Sequence, residues 1–73
     1  MSLRNQKSRD VIKVLTKYYG FSVEEISGSH FQLKHPDGRR VTVPSHDKPL
    51  KPGTLKSIII QAKATQEEFL KYL

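Results

Sequence analysis

The stretch His30-Phe31-Gln32-Leu33-Lys34-His35-Pro36-Asp37-Gly38-Arg39-Arg40-Val41-Thr42-Val43-Pro44 decides the fold. Two runs of alternating polar and apolar residues flank a Pro-Asp-Gly turn signal, the pattern of an antiparallel hairpin with one wet and one dry face. In the first run Phe31, Leu33 and His35 share a face against His30, Gln32 and Lys34; in the second, Val41 and Val43 oppose Arg40 and Thr42. A two-residue Asp37-Gly38 turn would pair Leu33 with Thr42 and scatter the apolar residues over both faces, so an odd-numbered loop is required. With Asp37-Gly38-Arg39 as that loop, Leu33 faces Val43. Helices must then cover the apolar face, while the other face displays His30, Gln32, Lys34, Arg40 and Thr42, polar and cationic.

Working outward, Phe21 to Ser27 reads as a further strand, joined to the hairpin through Gly28-Ser29. Before it, Ser8 can cap a helix from about Arg9 to Tyr19 whose apolar positions are Val11, Ile12, Leu15, Tyr18 and Tyr19. Gly20 is its natural stop, and Phe21 should fold back onto Leu15 or Thr16. After the hairpin, Ser45 to Gly53 reads as a loop, and from about Thr54 the residues Leu55, Ile58, Ile59 and Ala62 predict a second helix with one apolar stripe. Thr65-Gln66-Glu67-Glu68 matches a capping box and opens a short C-terminal helix, 66–73, carrying Phe69, Leu70 and Leu73. The expected class is α+β: a helix, a three-stranded antiparallel meander and a helix packed on one sheet face, plus the short C-terminal helix. Leu15, Phe31, Leu33, Val41, Val43, Leu55, Ile58 and Ile59 are the predicted core.

A chain of 73 residues makes one domain, here 1–73 with a core of about 8–62, and buries only about 60% of the surface its unfolded form exposes. With no cysteine, no disulfide or thiolate metal site reinforces it. The longest apolar run, Ile58-Ile59-Ile60, is far short of a membrane span, and the N-terminus has no secretory apolar stretch. A soluble, cytoplasmic protein with no membrane partner is expected. The formal charge of +6, from 13 Lys and Arg against 7 Asp and Glu, attracts polyanions and is the usual footprint of nucleic-acid binding.

His30 stands out among the three histidines. It follows Gly28-Ser29, a turn whose backbone N–H groups could hold a phosphate, and strand parity puts it on the polar face. An imidazole is the side chain whose ordinary pKa lies nearest neutrality. His35 falls on the opposite face and cannot pair with His30 across one phosphate, so a turn-stabilising role is expected. His46, in a loop, is read as a minor contributor or neutral. A three-histidine metal site would need ligands from both faces and a loop, so no metal or other cofactor is expected. Lys34, Arg39, Arg40, Lys48, Lys51 and Lys56, with Ser29, are the candidate phosphate contacts.

The ordered set Gly28-Ser29-His30, His35-Pro36, Asp37-Gly38-Arg39, Val41-Thr42-Val43-Pro44, His46, Gly53-Thr54-Leu55, Ser57-Ile58 and Gln61-Ala62 resembles the HicA toxin family of bacterial toxin–antitoxin systems. That resemblance implies a fold like the double-stranded RNA-binding domain and an mRNA interferase activity, the metal-independent cleavage of RNA. It implies that His30 is the catalytic histidine, that single-stranded mRNA is the substrate, and that a HicB-like antitoxin binds the toxin and masks the site. One departure stands out: relatives often have a second histidine directly after the first, where this chain has Phe31. The alternative is an RNA-binding module of the same fold without catalysis. A lone histidine on the polar face separates the two readings, because phosphate binding alone needs only Lys and Arg.

Overall fold

A computed structural model describes residues 3–45 and 48–73. The element order is α1 (Ser8–Tyr18), β1 (Ser22–Ser27), β2 (His30–Lys34), β3 (Arg40–Pro44), α2 (Pro52–Gln61) and α3 (Gln66–Lys71). The strands form one antiparallel sheet in the order β1-β2-β3, the α+β layout expected. α1 and α2 pack against β3, α1 also reaches β1, and α3 packs on α2. Val11, Val14, Leu15, Leu33, Val41, Val43, Leu55, Ile58 and Ile59 interdigitate between sheet and helices.

The hairpin has the expected parity but a register two residues tighter. Leu33 pairs with Val41 and Phe31 with Val43, and the loop is Pro36-Asp37-Gly38. The His35 N–H bonds the Arg39 carbonyl and the Gly38 N–H bonds the His35 carbonyl, which draws Arg39 into the ladder. Gly38 takes a positive φ of 99°, the position a three-residue hairpin loop reserves for glycine. Both registers keep the apolar set on one face, so alternation alone does not choose between them. Asp37 closes the turn, its carboxylate accepting from the Arg39 N–H at 3.0 Å.

β1 and β2 are joined by the two-residue turn Gly28-Ser29 with a positive φ of 58° at Gly28 only, the pattern of a type II′ hairpin. A bulge between Val23 and Glu25 leaves Glu24 unpaired and turns its carboxylate onto the polar face.

At its start α1 departs from expectation. Ser8 lies inside the helix, is 5% exposed and donates from Oγ to the Pro44 carbonyl, so it ties α1 to the end of β3 instead of capping. The other end is as anticipated: Gly20 has a φ of 77°, Phe21 is buried and its N–H reaches the Leu15 carbonyl. A Cβ on Gly20 would also stand 3.2 Å from His35 Nε2. α2 begins two residues earlier than its apolar pattern does, because Pro52 occupies the first turn, where its fixed φ and missing N–H cost nothing. Thr65 caps α3 by accepting from the Glu68 N–H. The Glu68 side chain takes the Tyr19 hydroxyl instead of closing the box.

One core expectation needs correction. Phe31 is only partly buried, because it sits at an open part of the sheet where its cross-strand neighbour Ile26 is 62% exposed. Tyr18 points outward, 48% exposed, while Tyr19 packs on the core.

Candidate functional site

His30 opens β2 immediately after the Gly28-Ser29 turn, exposed, with Ser27 on one side and Pro44 on the other as cross-strand partners. Among the described residues its side chain has no hydrogen-bond or ion-pair partner, so the ring is free to meet a ligand. Backbone pairing runs one step past it: the Ser45 N–H bonds the Ser29 carbonyl. That bond fixes the sheet end that carries the histidine. His46 and the adjoining Asp47 lie outside the described residues.

The candidate cations separate into three groups. Lys34 and Arg40 are cross-strand partners on the His30 face, and both are bridged by Glu24, at 3.8 Å and 2.9 Å. Lys34 lies four residue steps along the strand from His30, about 13 Å, with the hydrogen-bonded pair Thr42 Oγ1 to Gln32 Oε1 between (2.9 Å). Arg39 is folded inward: its Nε donates to Asp37 at 2.8 Å, its Nη1 donates to the Ala62 carbonyl at the end of α2, and the guanidinium lies over the Phe21 ring. Its charge is spent on the hairpin turn and the helix end.

Lys48 and Lys51 form the third group. They line a depression with Pro44, Pro49, Leu50 and Thr54, and Pro44 is His30's own partner across the sheet. The N-terminus of α2 opens here: Lys51 is its N-cap, and among the described residues no side chain caps it. The N–H groups of Gly53 and Thr54 therefore lack helical partners, and such a helix end favours an anion. Lys56 stands exposed one turn further along α2. The proline-led start of this helix, Pro52-Gly53-Thr54, was the sequence signal for that anion-favouring end. The bridging Glu24 had no comparable signal, since only the bulge brings it to the polar face.

His35 is part of the frame. Its Nδ1 accepts from the Asp37 N–H (3.1 Å) and lies 2.9 Å from the Asp37 carboxylate, so the ring has a partner in either protonation state. Phe21 meets it edge-on and Gly20 leaves room for it. Hydrogen bonding from the Arg39 backbone N–H, aided by the charges of Arg39 and His35, holds the Asp37 carboxyl below its usual range. Among the described residues no three His, Cys, Asp or Glu side chains converge as a metal site, and no helix is long and apolar enough to cross a membrane.

The arrangement is an accessible imidazole at a sheet end whose cross-strand partner, Pro44, also lines a depression with Lys48, Lys51 and Thr54 at the start of α2. No curated protein matches the chain. The family model describing the HicA toxin of bacterial toxin–antitoxin systems matches residues 8–64, from the first residue of α1 through α2, and on that match the chain belongs to the HicA toxin family.

Proposed function

We propose that this toxin is a metal-independent endoribonuclease acting on single-stranded mRNA, with His30 as its catalytic residue. The observation that carries the reading is the exposed His30 side chain, without a partner among the described residues, at the sheet end where Pro44 links its strand to the Lys48–Lys51 depression. Neutral imidazole takes the proton from a ribose 2′-hydroxyl; the 2′-oxygen bonds to the adjacent phosphorus as the bond to the 5′-oxygen breaks and that oxygen takes a proton from water, leaving a 2′,3′-cyclic phosphate and a 5′-hydroxyl. Lys48 and Lys51 offset charge developing on the phosphoryl oxygens, and the Gly53 and Thr54 N–H groups add donors there. Ser29 and Lys56 flank this path. Lys34, Arg40 and Arg39 play lesser parts, since Glu24 and Asp37 already hold them. A lone positioned base is worth about 10² to 10⁴ in rate, so turnover is slow.

Family membership implies an antitoxin counterpart. In this reading it is a HicB-like protein, more acidic than the +6 toxin, that covers the His30 end of the sheet in the cytoplasm. The testing experiment incubates purified toxin with end-labelled RNA, with and without EDTA and with and without the antitoxin, beside His30→Ala. Cleavage resistant to EDTA, lost in His30→Ala and suppressed by antitoxin supports the reading. Binding without cleavage by the wild-type chain would make it an RNA-binding module instead.

A further inference from the structure

A further concavity is lined by α1 and the C-terminal residues of the chain and shares no residue with the Lys48–Lys51 depression. It has a cavity volume of about 210 Å³, and its lining includes Asp10, Lys13 and Lys17 of α1 and Tyr18 and Tyr72 at the helix ends. Tyr18 and Tyr72 stack at 4.1 Å between centroids and 12° between planes. Both are unusually open for aromatic rings, 48% and 41% exposed. Lys17 Nζ stands over the Tyr18 ring, 5.5 Å from its centroid.

Along α1, Arg9, Lys13 and Lys17 follow one another at intervals of four and form a single exposed ridge. Like charges at that spacing repel and weaken a helix, so the ridge works against α1 on its own. A polyanion lying along it reverses the sign. The aromatic pair beside it supplies what a nucleobase needs, since stacking on tyrosine tolerates any base and the lysines reach the neighbouring phosphates. Asp10, in the same concavity, can accept a hydrogen bond from a base amino group. A cavity this small suits one base better than the larger pockets that hold drug-sized ligands. Tyr72 lies outside the family-matched residues 8–64, so half of the platform belongs to the C-terminal extension.

We propose that the Tyr18–Tyr72 stack and the Lys13–Lys17 ridge form a second binding site for single-stranded RNA, separate from the His30 site, that holds a flanking part of the substrate by base stacking. The proposal rests on the RNA reading of the preceding section.

The test titrates the whole protein with a 2′-O-methyl oligouridylate, which has no 2′-hydroxyl to attack, while NMR follows the Tyr18 and Tyr72 ring resonances and anisotropy follows affinity. Both rings should shift, and Tyr18→Leu should bind about tenfold more weakly with its thermal melt retained. If Tyr18→Leu fails to fold, the exposed pair Lys13→Gln/Lys17→Gln takes its place and should weaken binding and flatten its salt dependence. Shifts confined to the His30 end, with affinity unchanged in these variants, would overturn the second site and leave the RNA reading standing. No binding of the oligonucleotide anywhere would overturn both. Tyrosine shifts on adding antitoxin but not oligonucleotide would make this a protein surface, and a loss of stability with unchanged affinity would make it a clamp for α3.

Discussion

Phe69→Ala tests whether α3, which follows the family-matched residues, is part of the core. Phe69 is fully buried and is among the largest such side chains in the molecule. Its ring stacks on Tyr19 at 5.5 Å, while Tyr19 bonds Glu68 on the same helix. Removing a buried phenylalanine costs about 3 to 5 kcal/mol from lost transfer energy and the cavity left behind, and the aromatic pair adds about 0.5 to 1.5 kcal/mol. A chain of 73 residues has a total stability of about 4 to 11 kcal/mol, so this one truncation removes a third of it or more. In urea, with a slope of about 1 kcal/mol per molar, the midpoint should fall by about 3 M or the chain should not fold. Ile60→Ala, at a 66% exposed position, is the control and should stay within about 0.5 kcal/mol of wild type. A Phe69→Ala variant within 1 kcal/mol of wild type would refute the reasoning and mean that α3 merely rests on the domain.

Four further outcomes follow from other parts of the structure. Gly20→Ala must hold a φ of 77° with its Cβ 3.2 Å from His35 and should lose about 1 kcal/mol or more, whereas Gly53→Ala, with open space around it, should be neutral or gain up to about 1 kcal/mol; denaturant melts decide both. Burial, then the Glu68 hydrogen bond, pushes the Tyr19 phenol up to about 12, so its stabilising contribution is complete below pH 10 and lost between about 10 and 12; Tyr19→Phe should remove that alkaline component. The depressed Asp37 carboxyl works in the other direction, stabilising above its usual value and losing that as pH falls through its folded one, a component Asp37→Asn should abolish in acid melts. Replacing Lys48 and Lys51 together should lower the salt dependence of single-strand RNA binding by a log–log slope of about 1.4, read by anisotropy at several salt concentrations.

The sequence carries the layout because its local signals agree: alternation in the hairpin, helical spacing around Leu15 and Ile58, and glycines where the chain must turn. What it leaves open depends on tertiary choices. Leu33 faces Val41 and not Val43 because Arg39 joins the ladder, anchored by Asp37 and the Ala62 carbonyl, and no local pattern records that anchor. Ser8 prefers the Pro44 carbonyl, 36 residues away, to a capping role that its position alone suggested. His30 was legible as an exposed strand residue after a Gly-Ser turn. Its separation from Lys34 and Arg40 was not, since parity tells faces apart but not the two ends of one face. Lys48 and Lys51 instead share a depression with Pro44, the cross-strand partner of His30, a link only pairing supplies.

The catalytic assignment of His30 meets its most direct test in one assay, the cleavage rate of a defined single-stranded RNA by wild type and His30→Ala at equal protein concentration. Because His30 is exposed and no described residue bonds it, the variant should melt like wild type and bind RNA with similar affinity, while cleavage falls by at least about a hundredfold. Cleavage by folded His30→Ala at the wild-type rate would contradict the account.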